Sequence, residues 1–167
     1  MRVPDLVSPI EGWRVWVGQA DRGDVWLESV VYPMRWPRRV PLRAMCNYGR
    51  DPSGFHEAPG VDCRCGVYAA KTLEQMLRYV PERVRGLEPN SLGLGLPWIV
   101  GRVSLWGEVE EHEIAYRAEF AYPVSLIVPS AFRARRGRIL AEEAATLLGE
   151  GYDVPVTIVP SLARVAA

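Results

Sequence analysis

The sequence predicts an α+β fold with a mainly antiparallel sheet or small β-barrel, two helices and a long zinc-clipped loop. Strand-like runs follow one another in pairs joined by polar segments, and only two segments have helical periodicity. Parallel strands need long crossover connections, so these pairs favour antiparallel pairing. All three cysteines and one of the two histidines lie within twenty residues that have no apolar periodicity, and these residues form the predicted loop.

The N-terminal part of the chain predicts a β-hairpin. Residues 12–18 and 25–32 are rich in tryptophan and β-branched residues, and the Asp-Arg-Gly-Asp sequence at 21–24 is typical of a tight turn. Residues 33–41 contain three prolines, which argue against a central strand or a helix interior. We therefore expect residues 33–41 to form an extended surface crossing.

Cys46, His56, Cys63 and Cys65 form the ligand set of a predicted zinc site. Three thiolates and one imidazole complete a tetrahedral shell and leave no position for a substrate water, so the ion would be structural. Residues 46–66 are rich in Gly, Pro, Asp and Asn, and a loop of this length needs something to order it. The spacing matches no standard zinc finger. The alternative is that the thiols are buried free cysteines and His56 lies in a hydrogen-bonded loop.

An enzyme is the competing functional class. Cys65 lies near the start of the first predicted helix, where backbone amides lower the pKa of a thiol. His56 could act as the base that activates this nucleophile. The sequence shows no third residue that would orient the histidine, so the zinc site remains the leading hypothesis.

The first helix is predicted directly after the loop. Thr72 and Gln75 have the spacing of a capping box, and Pro81 either ends the helix or opens a further turn. Its apolar stripe consists of Leu73, Met76, Leu77 and Val80.

The clearest strand pair lies between Trp98 and Val128. Apolar residues alternate with others along residues 98–106 and 114–122, as in strands with one buried face. This alternation places Arg117 on the solvated face. The acidic residues 107–113 join the two strands, and residues 124–128 form a further strand after Pro123.

The C-terminal part predicts a second helix and a last strand. The helix covers about residues 138–148 and has an apolar face, with Gly149 or Gly151 as its cap. Residues 154–159 form a short strand that Pro155 interrupts, which favours an edge position in the sheet.

Charge and composition limit the partners that the chain can recognise. The 167 residues include 20 Lys and Arg and 20 Asp and Glu, so the strong positive field of many nucleic-acid-binding proteins is absent. Two local clusters still combine arginines with aromatic residues, a composition that can pair phosphates and stack bases. We therefore predict binding of a nucleic acid or a protein partner through Arg35, Trp36, Arg38, Arg39 and Arg43, and through Arg133, Arg135, Arg136 and Arg138.

The acidic segment around His112 offers a third function class. Glu108, Glu110, Glu111 and Glu113 surround this histidine, and such a cluster is most often a solvated hairpin tip. It could also dock a basic partner, which would make the protein a purely structural interaction module.

The length of the chain predicts a single domain over residues 1–167, with residues 45–66 as a metal-binding loop insertion. The N-terminus lacks the apolar run of a signal peptide, and no run approaches the length of a membrane span. An odd number of cysteines argues for a reducing compartment. We expect a cytoplasmic protein that does not bind membranes; the sequence leaves its oligomeric state open.

Overall fold

The computed structural model describes residues 9–46, 56–60, 62–84, 97–134 and 139–160. These residues form seven strands and two helices, and all seven strands belong to one mixed sheet. In chain order the elements are β1 (Ile10–Asp21), β2 (Asp24–Ser29), β3 (Leu42–Arg43), β4 (Val67–Ala70), α1 (Leu73–Val84), β5 (Trp98–Glu111), β6 (Ala115–Pro129), α2 (Ala141–Tyr152) and β7 (Val156–Val159). The predicted α+β class is confirmed.

Strand β6 organises the sheet. β5 pairs with β6 along most of its length, and β3, β4 and β7 pair with β6 at successive positions. Because a strand has only two edges, these three short strands share the edge opposite β5. β1 pairs with β5 and, through Trp13 and Ala70, with β4, so the path β1–β5–β6–β4 returns to β1. Among the strand pairs of the described residues, only β6–β7 is parallel.

The predicted N-terminal hairpin is confirmed as β1 and β2. Its two-residue turn has positive φ at both central residues, 48° at Arg22 and 81° at Gly23, as in a type I′ turn. β2 ends at Ser29, earlier than the predicted end at residue 32.

The second hairpin is longer than the alternation predicts. β5 continues to Glu111, and β6 runs through Pro123 to Pro129 as one strand. A register shift between Arg102 and Val103 lies opposite Pro123, and a bulge tolerates a residue without an N–H group. The prediction of a separate strand after Pro123 was therefore wrong.

A second register shift, between Trp106 and Val109, disturbs the period-two pattern. It lies beside the predicted metal-binding loop of residues 45–66, called the metal loop below. Gly107 has φ 76° there, a conformation that favours glycine. Ala118 is buried while Phe120 is half-buried, and Arg117 is only 4% exposed. The prediction of a solvated Arg117 was wrong, because the backbone of Gly60 and Cys63 covers its side chain on β6.

Both helices are confirmed with shifted ends. The capping box of α1 forms in both directions, with Thr72 N–H donating to Gln75 Oε1 at 3.0 Å and Gln75 N–H donating to Thr72 Oγ1 at 3.2 Å. The backbone of α1 continues through Pro81. α2 ends at Tyr152 with Asp153 as its left-handed C-cap, so the prediction of Gly149 or Gly151 as the cap was wrong, and both glycines lie inside the helix.

The segment after β2 is not only a surface crossing, because Trp36 is fully buried. Its ring packs edge-to-face against Trp16 at a centroid distance of 5.3 Å, and its Nε1 donates to Ser29 Oγ. Tyr152 of α2 is also fully buried, and its hydroxyl donates to the Trp36 carbonyl at 3.1 Å. The core therefore joins β1, β2, this segment and α2. No helix among the described residues is both long and apolar enough to cross a bilayer.

Candidate metal centre

The sheet brings the two ends of the cysteine-rich loop together. Leu42 of β3 pairs with Ala121 of β6, and Val67 of β4 pairs with Ala118. Cys46 follows β3 by three residues, and Cys65 precedes β4 with only Gly66 between them. Neighbouring positions on one edge of β6 thus fix the two outer cysteines, although nineteen positions separate them in the sequence.

The four predicted ligands converge. The sulfur atoms of Cys46, Cys63 and Cys65 and a ring nitrogen of His56 all lie within 4.8 Å of one another. Cys46 Sγ lies 3.6 Å from Cys63 Sγ, and His56 Nε2 lies 3.2 Å from Cys65 Sγ. Ligands at zinc-like bond lengths of about 2.0–2.3 Å and tetrahedral angles are roughly 3.5–3.8 Å apart. The donor atoms therefore form a group that could hold one metal ion.

The electrostatics of the group favour a cation. Burial raises the pKa of Cys63, but hydrogen bonds from the Cys65 backbone and from the side chains of Cys46, Cys65 and His56 outweigh it and lower the pKa to about 7. Burial raises the pKa of Cys65, and the negative charges of the neighbouring Cys63 and Cys46 thiolates raise it further. The hydrogen bond from the Gly60 N–H lowers this pKa but is outweighed. The Cys63 thiolate therefore forms readily, whereas Cys65 resists ionisation. A bound cation would relieve this repulsion and stabilise all three thiolates.

Arg117 holds the loop on β6. Its guanidinium donates to the carbonyl oxygens of Gly60, at 3.2 Å, and of Cys63. Glu110 of β5 accepts from Arg117 Nε at 3.0 Å. Burial disfavours the charged guanidinium, but Glu110 outweighs this effect and raises the pKa of Arg117. A permanently charged side chain thus fixes the backbone between His56 and Cys65.

Gly60 lets the loop close around its ligands. A Cβ atom at position 60 would lie 2.5 Å from His56 Nε2, which is closer than real contacts allow. The Gly60 N–H donates to Cys65 Sγ at 3.3 Å, and the Gly60 carbonyl accepts from the Cys63 N–H at 3.0 Å. This glycine therefore contacts the imidazole and two of the three cysteines.

An open cleft of about 560 Å³ adjoins the cluster. It is lined by Asp62, Cys63, Arg64, Tyr68, His112, Ala115 and Arg117. Cys63 is the one member of the metal-ligand group in this lining. The cleft thus connects the cluster with solvent on the side of Cys63.

The geometry favours a ligand pair over a nucleophile and its base. His56 and Cys65 are in contact, as the enzyme hypothesis requires, but Cys65 is only 5% exposed. Its pKa is raised, mainly by burial, whereas an activated nucleophile needs a lowered one.

The first arginine cluster mostly contacts its own protein. Arg35 and Arg38 both pair with Asp24, and Arg38 also donates to the Val25 carbonyl. Arg39 donates to the Glu150 carbonyl, and Arg43 pairs with Glu119 at 3.1 Å. Trp36 lies in the core, where it cannot stack on a base. Arg133 is exposed, and Arg135, Arg136 and Arg138 lie outside the described residues.

The acidic residues belong mainly to β5 rather than to a loop. Glu110 pairs with Arg117, and Glu111 pairs with Lys71 at 2.6 Å. His112 Nε2 lies 3.7 Å from Glu110 Oε2. The predicted docking patch is thus partly neutralised by neighbouring cations.

Comparison with protein-family models, with curated proteins and with solved structures finds no match to this chain.

Sequence reasoning missed Arg117 as a part of this site. An arginine in an alternating strand normally faces solvent. The sequence offers no local signal for its role, because the Gly60 and Cys63 carbonyls that it binds are more than fifty residues away.

Proposed function

We propose that the protein is a binding domain whose long loop is held by one structural zinc ion on Cys46, His56, Cys63 and Cys65. The convergence of these four donor atoms carries the proposal. Three thiolates and an imidazole suit Zn²⁺ better than Mg²⁺ or Ca²⁺, which prefer oxygen ligands. A shell with four protein ligands holds structure and leaves no open position for catalysis.

The surface beside the zinc loop supports a protein partner. Trp106 and Phe120 stack with a centroid distance of 6.0 Å, and both are half-buried. The Arg43 guanidinium lies over the Phe120 ring at 5.5 Å, and the Met45 side chain is 66% exposed. Aromatic residues, methionine and arginine are enriched in protein interfaces. Met45 directly precedes Cys46 and pairs with Glu57, next to His56, so the zinc site positions part of this surface.

Charge favours a partner that presents a basic side chain beside an apolar one. Arg43 already pairs with Glu119 and lies 3.6 Å from Glu57. These two carboxylates leave the aromatic pair in a net negative environment, which repels phosphates and attracts cations. A protein partner is therefore our proposal, and a nucleic acid is the outcome that would replace it.

Elemental analysis of two matched variants tests the zinc part. The chain has only two histidines, and His112 lies outside the metal cluster. We expect about one zinc ion per chain in the purified protein and in His112→Ala, and strongly reduced zinc in His56→Ala. Equal zinc content in both variants would contradict the assigned ligand set.

Site-specific photo-cross-linking tests the partner part. A photoreactive residue at position 45 should cross-link a protein, and the same residue at exposed Ile158 of β7 should not. The captured protein, once purified, should bind Trp106→Ala at least about tenfold more weakly than wild type, because interface tryptophans often dominate affinity. Binding of a labelled single-stranded oligonucleotide with a steep salt dependence, and loss of that binding in Trp106→Ala, would favour a nucleic acid instead.

A further inference from the structure

We infer that the metal centre is a peroxide-sensitive switch, in which oxidation joins Cys46 to Cys63 in a disulfide and releases the ion. This inference rests on the proposed zinc site and adds its regulation.

The contacts of the sulfur atoms favour one pair. Cys46 Sγ and Cys63 Sγ lie 3.6 Å apart, so a movement of about 1.5 Å brings them to the length of a disulfide bond. Cys65 also hydrogen-bonds Cys63, but its Sγ is held in addition by His56 Nε2 at 3.2 Å and by the Gly60 N–H at 3.3 Å. Two nitrogen donors therefore restrain Cys65, whereas Cys46 and Cys63 are free to approach each other.

Solvent access selects the same pair. Cys63 lines the open cleft and Cys46 is half-buried, whereas Cys65 is only 5% exposed in the main core. A small oxidant such as hydrogen peroxide can therefore reach Cys63 through the cleft, whereas Cys65 is shielded. The initial oxidation product then forms beside Cys46.

The chemistry balances with one peroxide molecule. The Cys63 sulfur attacks a peroxide oxygen, an S–O bond forms, the O–O bond breaks, and the departing hydroxide takes up a proton. The Cys46 thiolate then attacks the Cys63 sulfur, an S–S bond forms, the S–O bond breaks, and a second hydroxide takes up a proton. Two thiolates, one hydrogen peroxide and two protons thus give one disulfide and two water molecules. The two sulfur atoms lose two electrons in total, and the peroxide gains them.

Oxidation removes half of the zinc ligands. Only His56 and Cys65 remain, and two protein ligands do not complete a structural zinc shell. The loop then exchanges an ionic cross-link for a covalent one between Cys46 and Cys63. Met45 is adjacent to Cys46, and Glu57 is adjacent to His56. The change of cross-link therefore alters the proposed partner surface.

The sequence allows a direct test on the wild-type protein. Trypsin cleaves after Arg43, Arg50, Arg64 and Lys71, which places the three cysteines in separate peptides, 44–50, 51–64 and 65–71. The zinc-loaded protein is treated with hydrogen peroxide while a chromogenic chelator records free zinc. Remaining thiols are blocked with an alkylating agent, and the non-reduced peptides are identified by mass spectrometry.

We expect zinc release to parallel the cross-linking of peptide 44–50 to peptide 51–64, with peptide 65–71 alkylated. A dithiol reductant and added zinc should restore the original zinc content. A cross-link that includes peptide 65–71, zinc release without any disulfide, or no release at peroxide levels that oxidise exposed thiols would overturn the inference. Absence of zinc before the treatment would instead contradict the proposed zinc site itself and remove the switch with it.

Discussion

At the scale of single residues, two arginines, one buried and one half-buried, join different parts of the fold. Arg117 joins the metal loop to β6 through two carbonyl oxygens. Arg38 joins the Asp24 turn of the first hairpin to the ring of Tyr152 in α2. Each is an intramolecular structural contact, although the sequence suggested either solvent exposure or a partner.

Arg117→Met should weaken zinc binding without removing a ligand. Loss of the guanidinium frees the Gly60 and Cys63 carbonyls and leaves Glu110 without its cation, so the ligands become less well ordered. We expect a loss of zinc affinity of about 10–100-fold, as is typical when partners of metal ligands are removed. Competition with a chromogenic chelator measures this change.

Arg102→Met is the matched control for Arg117→Met. Arg102 lies on β5 and is half exposed in its pair with Glu11. Zinc affinity in this variant should equal that of wild type. An equal loss in both variants would contradict the role given to Arg117.

Asp24→Asn should reveal the ion pairs of the first hairpin through their pH dependence. Burial raises the pKa of Asp24, but Arg38 and Arg35 outweigh burial and lower it. A lowered folded-state pKa stabilises the protein above the unfolded-state pKa, and this stability is lost as pH falls through the folded value. Because Asp24 is partly exposed, we expect its ion pairs to contribute about 1 kcal/mol or less to the free energy of unfolding at neutral pH.

Urea unfolding of wild type and Asp24→Asn measures this difference. The gap in the free energy of unfolding should close between roughly pH 5 and pH 2. Glu74→Gln is the control, since Glu74 pairs with Arg78 on an exposed helix face and should change stability little. A gap that persists in acid would show that Asp24 acts through packing rather than charge.

At the scale of elements, closure of the metal loop depends on the close approach of the Gly60 backbone to His56 and Cys65. Its ends are fixed by β3 and β4 on one edge of β6, and its middle is closed by Gly60. The strands therefore supply the position of the site, and the glycine supplies the room for its imidazole.

Gly60→Ala should disturb zinc binding although it adds only a methyl group. The added Cβ would lie 2.5 Å from two atoms of the His56 ring, so the imidazole must move away from the sulfur atoms. We expect at least about a tenfold loss of zinc affinity, measured by chelator competition.

Gly149→Ala is the matched control for Gly60→Ala. The nearest neighbours of its added Cβ lie at an ordinary 3.5 Å. This variant should keep its zinc affinity and gain up to about 1 kcal/mol of stability, because alanine favours helix. Unchanged zinc binding in Gly60→Ala would show that the loop closes in another way.

The elements that the sequence predicts well are those with local causes. The turn at Arg22 and Gly23 and the capping box of Thr72 and Gln75 follow from nearby residues, and the four soft ligands lie within twenty residues of one another in the sequence. The misassigned positions depend on distant partners. Pro123 continues a strand because a register shift lies opposite, and Arg117 is buried because residues far away in the sequence cover it.

At the scale of the whole molecule, the sheet core and the metal centre are partly independent. The largest buried side chains, including Trp16, Trp36 and Phe132, share one core cluster with Cys65, but none of them is a metal ligand. A chain of this length can bury enough apolar surface to fold without a metal. The ion should therefore add stability and local order to an existing fold.

Chelation of zinc should lower the melting temperature but keep the sheet. Zinc stabilises the folded protein by about 4 kcal/mol when free zinc exceeds its Kd by 1,000-fold. Its removal then lowers the melting temperature by roughly 8–16 °C at this chain length. Far-UV circular dichroism should change little, and hydrogen exchange should increase around His56 and Cys65 but not in β1 or β5. Complete unfolding on chelation would contradict the independence of the core.

X-ray absorption at the zinc edge of the purified protein tests the central claim most directly, because it counts the ligand atoms around the ion. The four residues predict three sulfur atoms at about 2.3 Å and one nitrogen at about 2.0–2.1 Å. A shell dominated by oxygen, a sulfur count of two or fewer, or a sample without a zinc edge would contradict the account.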